Sequence, residues 1–283
     1  MYTKLIDIVC IFVKKLLTMD VHKITVYGGF GKDDSEEKVK EFSLEVGDIV
    51  SIVGPTGCGK TTLINDIELF ANQNTPSGRR ITINDEPVPE DFIFDPSHHP
   101  IALISQHTNF LSDLPVEDFL VIHAKVRGAG EVGSIITETL NFANELTGEP
   151  IMRDIAMTEL SGGQTRSLLI ADAVVIGHSP IILLDEIENA GIHRTKALEL
   201  LKKYKKIFVF VTHDPCIALM SDFRIVMKNG AMQQLITTRQ EEKKVVSKMK
   251  QIDDMMLNFR QIIRSGDELT EAVFKENFNV LTF

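Results

Sequence analysis

Apolar and polar positions along this 283-residue chain follow two periods in turn. From Val21 to Val53, strand-like runs (HKITVY, VKEFSLEV and DIVSIV) are separated by turns, with a Gly/Asp-rich loop at Gly28–Ser35. The last run is continuous and β-branched, as expected of a strand buried on both faces. It leads straight into GPTGCGKTT and then the helical LINDIELFANQ. Arg80–Ile83 and Phe92–Phe94 read as sheet-like, and Ile101–Ile104 as another short apolar strand. Residues from about Leu114 to Met157 read mostly as helix, with a glycine break at Gly128–Gly133. Strand–helix alternation then resumes through SLLIADAVVIG, PIILLDE, a helix over Thr195–Lys203, and KIFVFVT. Such alternation predicts an α/β fold around a parallel sheet. The helical block inserted in its middle predicts a small second lobe.

Both ends depart from that pattern. In the tail, Val245, Met249, Ile252, Met256, Phe259 and Ile263 recur at spacings of 4, 3, 4, 3 and 4, a heptad-like stripe on a charged helix. At the other end, the apolar run Leu5–Leu17 is interrupted by Asp7 and Lys14–Lys15. It is shorter than the roughly 20 residues a membrane span needs, and no small-residue cleavage site follows it. Residues 1–18 therefore read as an interfacial amphipathic helix or, as the preferred reading, an extension upstream of a natural start at Met19. No other stretch is apolar enough to span a bilayer, so any transmembrane channel belongs to another chain.

Composition narrows the function. With 43% hydrophobic and 25% charged residues, the chain has the make-up of an ordinary globule. A formal charge of −10 argues against a nucleic-acid groove, which needs clustered Lys and Arg. Cys10, Cys58 and Cys216 are widely separated and fit a reducing compartment, with no zinc spacing. His98–His99 resembles a metal pair but has no carboxylate or thiol partner at a suitable spacing, and is read as a surface loop.

The chemistry lies between strands and helices. Gly54, Pro55, Thr56, Gly57, Cys58, Gly59, Lys60, Thr61 and Thr62 have the spacing of a Walker A loop. Its glycines let backbone N–H groups turn inward as an anion nest, completed by the positive N-terminus of the next helix. Lys60 is placed to reach β- and γ-phosphates, and the Thr61 hydroxyl to bind Mg²⁺. Ile181–Glu186 reads as a Walker B strand. Four apolar residues bury it, and Asp185 emerges at its carboxyl end, where ligands sit in open α/β sheets. Asp185 would hold Mg²⁺, mostly through water, and Glu186 would polarise the attacking water.

Leu160-Ser-Gly-Gly-Gln164, lying between those two motifs, resembles the signature of the ATP-binding cassette (ABC) ATPases. The resemblance covers about Val21 to Thr237 and implies a P-loop cassette: a parallel core sheet, an antiparallel β subdomain and an inserted helical lobe at about 107–160. Residues 19–240 would form that cassette and 241–283 a helical tail. Two copies, or this chain and a paired ABC subunit, would close head-to-tail over two MgATP. Ser161, Gly162, Gly163 and Gln164 would then receive the γ-phosphate bound by the opposite subunit. Gln106 matches the glutamine that senses Mg²⁺ and water and couples the lobe to a partner. His213 matches the histidine that hydrogen-bonds the γ-phosphate. Tyr27 is the first choice for the aromatic that stacks on adenine, with Phe30 and Phe42 as alternatives. Two departures stand out: Ile187–His193 replaces the usual Ser-Ala-Leu-Asp segment, and Asp172 stands where an arginine is common.

Two functions follow from the resemblance. The leading one is the cytoplasmic energising ATPase of a membrane transporter with a separate permease, peripheral at the cytoplasmic face. The rival is a soluble ABC ATPase that remodels or activates a protein complex. Chromosome-type relatives insert a long coiled coil that is missing here, and translation-factor types usually carry two cassettes.

Overall fold

The computed structural model describes residues 20–278 other than 97, 106, 107, 129, 148 and 187–193. The extension at 1–18, Gln106 and the segment Ile187–His193 thus lie outside the described residues. Ten strands are present among those described: β1 (Lys23–Tyr27), β2 (Glu41–Glu45), β3 (Ile49–Val53), β4 (Arg80–Ile83), β5 (Glu86–Pro87), β6 (Ile101–Ile104), β7 (Ile181–Asp185), β8 (Ile207–Val211), β9 (Phe223–Lys228) and β10 (Ala231–Thr237). The helices are α1 (Lys60–Glu68), α2 (Glu90–Phe94), α3 (Val116–Val126), α4 (Val132–Leu146), α5 (Gly162–Val175), α6 (Arg194–Leu201), α7 (Pro215–Met220), α8 (Gln240–Ser265) and α9 (Glu271–Phe278).

A six-stranded sheet runs in the order β10-β9-β3-β8-β7-β6. Its neighbours are parallel except β10, which pairs antiparallel with β9. Successive residues of one strand feed two different cores. Ile182, Leu184, Phe208 and Phe210 pack with the helical lobe, whereas Ile181, Leu183, Ile207, Val209 and Val211 pack with α1 and a second sheet. Double burial explains why these strands read as unbroken apolar runs. The second sheet is antiparallel, in the order β2-β1-β4-β5. β2 shows the one-sided alternation of a sheet wet on one face, with Phe42 and Leu44 buried and Glu41, Ser43 and Glu45 exposed.

The lobe is built from α3 and α4, divided near Gly128 (φ 68°) and packed through α4 onto α5. One strand reading needs correction. Phe92–Phe94 belongs to the short helix α2, because Pro89 opens it and Glu90 and Asp91 occupy its first turn. Only Phe92 of that apolar trio is buried, which is why the run resembled a strand without being one.

The tail helix α8 packs on α7 and is tied to the cassette by Arg224–Glu242 (2.6 Å) and Lys250–Glu199 (3.1 Å). At its far end Phe259 is buried, stacked on Phe274, and Phe274 in turn stacks on Phe278. The rest of the heptad stripe is not covered in this way. Val245, Ile252, Met256 and Ile263 are 46%, 41%, 44% and 61% exposed.

Two predictions follow. Among the described residues, deleting 241–283 removes the buried side chain of Phe259 and the Arg224–Glu242 and Lys250–Glu199 ties to the cassette, so the shortened protein should fold and bind ATP while losing self-association or partner recovery. Thermal melting and ATP titration check this; aggregation would make the tail part of the cassette core. The second concerns Lys206 at the head of β8, whose Nζ donates to the Ser179 carbonyl (2.9 Å). Burial lowers its pKa from 10.5 to about 8. Through that window the unfolded chain binds more protons than the folded one, so stability should rise as pH rises. Urea midpoints of wild type should climb between these values more steeply than those of Lys206→Met.

Candidate functional site

β3 ends in a loop whose backbone only glycine tolerates at the critical points. Gly54, Gly57 and Gly59 have φ of 151°, 76° and 99°. A Cβ on Gly54 would lie 2.4 Å from the Met227 carbonyl and 2.7 Å from Cys58 Sγ. Cys58 is buried beneath the loop, while Pro55, Thr56 and Gly57 are exposed. Lys60, at the start of α1, is only 6% exposed and donates from Nζ to the carbonyls of Gly54 (3.0 Å) and Pro55 (3.2 Å). Its ammonium is therefore held inside the loop's curl. Thr61 and Thr62 follow, exposed in the first turn of α1.

The parallel sheet brings the other chemistry to the same carboxyl edge. β8 lies between β3 and β7, so Asp185 at the end of β7 and Thr212–His213 after β8 flank the loop that follows β3. Glu186 donates its backbone N–H to the Val211 carbonyl (3.0 Å) and adopts φ of 51°. Its Oε1 lies 3.5 Å from His213 Nε2, with both side chains partly exposed. Gln106 is outside the described residues, so its assigned roles in metal sensing and coupling rest on sequence alone.

Ser161–Gln164 sits elsewhere, at the exposed N-terminus of α5. Ser161 Oγ accepts from the Gln164 backbone N–H (3.3 Å), and Gln164 Oε1 accepts from the Ser161 N–H (3.0 Å). This reciprocal cap fixes the start of the helix. Gly162 has open space where a Cβ would go. Among the described residues no recorded hydrogen bond joins this motif to the 54–62 loop of its own chain.

Three features escaped the sequence. Arg79, fully buried, pairs with Glu37 through both Nε (3.1 Å) and Nη2 (2.7 Å), with Asp66 through Nη1 (2.7 Å), and with the Gly230 carbonyl (2.9 Å). Burial alone would lower the guanidinium pKa, but Glu37 and then Asp66 outweigh it and the pKa is raised. Glu37 also accepts from the N–H groups of Gly29 (2.9 Å) and Met232 (2.6 Å). Second, Asp172 binds His123 Nδ1 at 2.7 Å and thereby joins α5 to α3. Third, the aromatic candidates separate by environment. Phe42 is 4% exposed, in the core, and the Tyr27 ring lies 3.8 Å beneath the Arg80 guanidinium. Phe30 is 45% exposed, on the loop that reaches the 54–62 segment. His98 pairs with Asp95 (3.0 Å), and the His99 ring packs on Phe70.

Comparison with known proteins agrees with the architecture. The sequence pattern of the ABC transporter family matches residues 38–189. An uncharacterized ABC transporter ATP-binding protein of Methanocaldococcus jannaschii is 50% identical over 252 residues, covering 89% of this chain and 96% of that protein. The spermidine/putrescine import ATP-binding protein PotA of Marinobacter nauticus is 30% identical over 221 residues, 73% of this chain. The match takes in 56% of PotA, little more than half its length. Among solved structures, a dimeric ATP-binding cassette in a post-hydrolysis state with ADP and Pi superposes with a TM-score of 0.58 at 24% identity, over 76% of this chain and 99% of that one. At that identity the likeness speaks to the fold alone.

The Arg79 cluster generates a prediction. Arg79→Met leaves two buried carboxylates without their cation and should cost about 3–5 kcal/mol of stability, read from denaturant unfolding. A loss within the about 1 kcal/mol typical of an exposed pair would show that the cluster does not hold these elements together.

Proposed function

Because the chain belongs to the ABC transporter family, and is an ATP-hydrolysing cassette of that family, we propose that it energises a membrane transporter from the cytoplasmic face through composite sites in a head-to-tail dimer. The observation that carries the site is the convergence of Lys60, Asp185, Glu186 and His213 at the carboxyl ends of β3, β7 and β8. In the proposed site the 54–62 loop wraps the phosphates, and Lys60 neutralises β/γ charge from inside the curl. The Thr61 hydroxyl and Asp185 carboxylate, hard oxygen donors on facing elements, suit Mg²⁺. When bound there, the ion would offset charge on the phosphate oxygens. Glu186 orients the attacking water, and His213, within 3.5 Å, positions that carboxylate and donates toward the γ-phosphate.

Ser161, Gly162, Gly163 and Gln164 act in trans in this reading. Their helix end is solvent-facing and preorganised by its own cap, as an anion-receiving N-terminus must be. Phe30 takes the adenine-stacking role in place of Tyr27, whose ring already carries Arg80. A membrane permease is the proposed partner. Among the described residues no helix is long and apolar enough to cross a membrane. Exposed Leu111, Ile122 and Val126 on the helical lobe offer a seat for a segment of such a partner. The names of relatives such as PotA, an import ATP-binding protein, favour transport over remodelling of a soluble complex.

Glu186→Gln tests the site. ATP binding should persist while turnover falls about 10²-fold or more, in the range of lost catalytic electrostatics. A closed dimer should then accumulate with ATP in size-exclusion chromatography. Wild-type turnover from a monomeric mutant would refute both the Glu186 role and the composite arrangement.

A further inference from the structure

A second lysine lies on the Walker A loop, reaching it from the connection between β1 and β2. Lys32 donates from Nζ to the carbonyl of Gly57 at 2.8 Å, across 25 residues of sequence. It is not a loosely tethered surface side chain. Its own N–H bonds to the Asn229 carbonyl (2.9 Å), and its neighbours are pinned by Phe30 N–H to Ser77 O (2.7 Å) and Gly31 N–H to Ser35 O (2.8 Å). Three glycines let these backbones touch. A Cβ on Gly29 would lie 2.0 Å from the Ser77 carbonyl, one on Gly230 2.9 Å from the Lys32 nitrogen, and one on Gly59 2.9 Å from the Gly230 Cα. The Gly230 N–H closes the stack by donating to the Cys58 carbonyl (2.8 Å). Lys32, the turn at Gly230 and the Walker A loop are thus stacked in direct contact, with the Arg79 cluster behind them.

From this geometry we propose that Lys32 is a nucleotide-positioning residue: a second cation on the Walker A loop that faces the phosphate chain of bound ATP from the antiparallel sheet. The inference rests on the nucleotide site proposed above. Lys60 occupies the inside of the loop through the Gly54 and Pro55 carbonyls, and Lys32 grips the opposite limb at Gly57. An ammonium has three N–H donors, and one carbonyl uses one of them. Lys32 is exposed, so its remaining donors and its charge are presented at the rim of the anion nest, two residues from exposed Phe30. An aromatic ring and a cation so spaced suit a ligand with a flat base at one end and phosphates at the other.

The test uses the full chain with Lys32→Met, Lys32→Arg and Lys60→Ala, measuring ATP affinity by fluorescence titration at several salt concentrations. Losing one charge-assisted contact should weaken ATP binding about tenfold in Lys32→Met. The decline of affinity with salt should become shallower, the melting temperature should stay at the wild-type value, and Lys32→Arg should recover most of the loss. Wild-type affinity in Lys32→Met overturns the proposal, as does weakened binding that comes with a lower melting temperature and an unchanged salt dependence. Lys60→Ala separates the two levels. If it abolishes binding while Lys32→Met does not weaken it, only the Lys32 role fails; if Lys60→Ala binds ATP normally, the nucleotide site itself is wrong and the Lys32 role falls with it.

Discussion

One buried cation holds the nucleotide half of this protein in register. Arg79 reaches Glu37 on the loop before β2, Asp66 on α1 and the carbonyl of Gly230 between β9 and β10. Without Arg79 the Glu37 and Asp66 carboxylates would be stranded in the core, where an unpaired ion is severely penalised. Together the partners satisfy the guanidinium and transmit its position to the backbone N–H groups of Gly29 and Met232. The helix that follows the Walker A loop, the loop that carries Phe30, and the turn that touches Gly59 therefore cannot shift independently. The phosphate nest proposed for this loop would depend on N–H vectors held to a fraction of an ångström, and the cluster braces the backbone behind them.

The other half of the candidate machinery is mounted differently. The exposed start of α5 is held on the helical lobe through apolar contacts with α4 and polar ties that include His123–Asp172 and Gln164 Nε2 donating to the Pro150 carbonyl (3.1 Å). An ion pair joins one part of the chain to the sheet-bound core; packed helices join the other to it. The two candidate segments thus rest on different contacts, a buried ion cluster behind the loop after β3 and packed apolar helices behind the start of α5.

Much of this was legible in the order of residues. The glycine loop, the apolar run ending in Asp185-Glu186 and the LSGGQ segment are local patterns whose chemistry depends on neighbours in sequence. What stayed hidden depends on neighbours in space. Glu37, Asp66 and Arg79 are ordinary charged residues 13 to 42 positions apart, and nothing in their spacing marks them as partners. Asp172 looked like a departure from a family habit, and only its bond to His123 gives it a purpose. The Arg80 guanidinium over the Tyr27 ring is equally a matter of space, since the two become neighbours only when β4 pairs with β1. Phe92–Phe94 misled because an apolar trio carries no period, and the signal lay instead in Pro89 and the acids after it. The tail stripe had the right spacing for burial, yet Phe259 is the one member of it that is buried, while Val245, Ile252, Met256 and Ile263 stay exposed.

Glu186 has a consequence that reaches beyond chemistry. Its φ of 51° lies in the left-handed region, where a residue with a Cβ is strained by about 1–2 kcal/mol. Glycine would sit there without strain, and asparagine with less of it. On the role proposed for Glu186, the position sets durability against work: a chain selected only for resistance to heat would drift away from glutamate here, and one selected for turnover would keep it. Variants that tolerate high temperature but no longer drive anything are expected to collect at this corner of the sheet, so the residue's persistence among descendants would measure how strongly ATP hydrolysis, as opposed to mere folding, is being maintained.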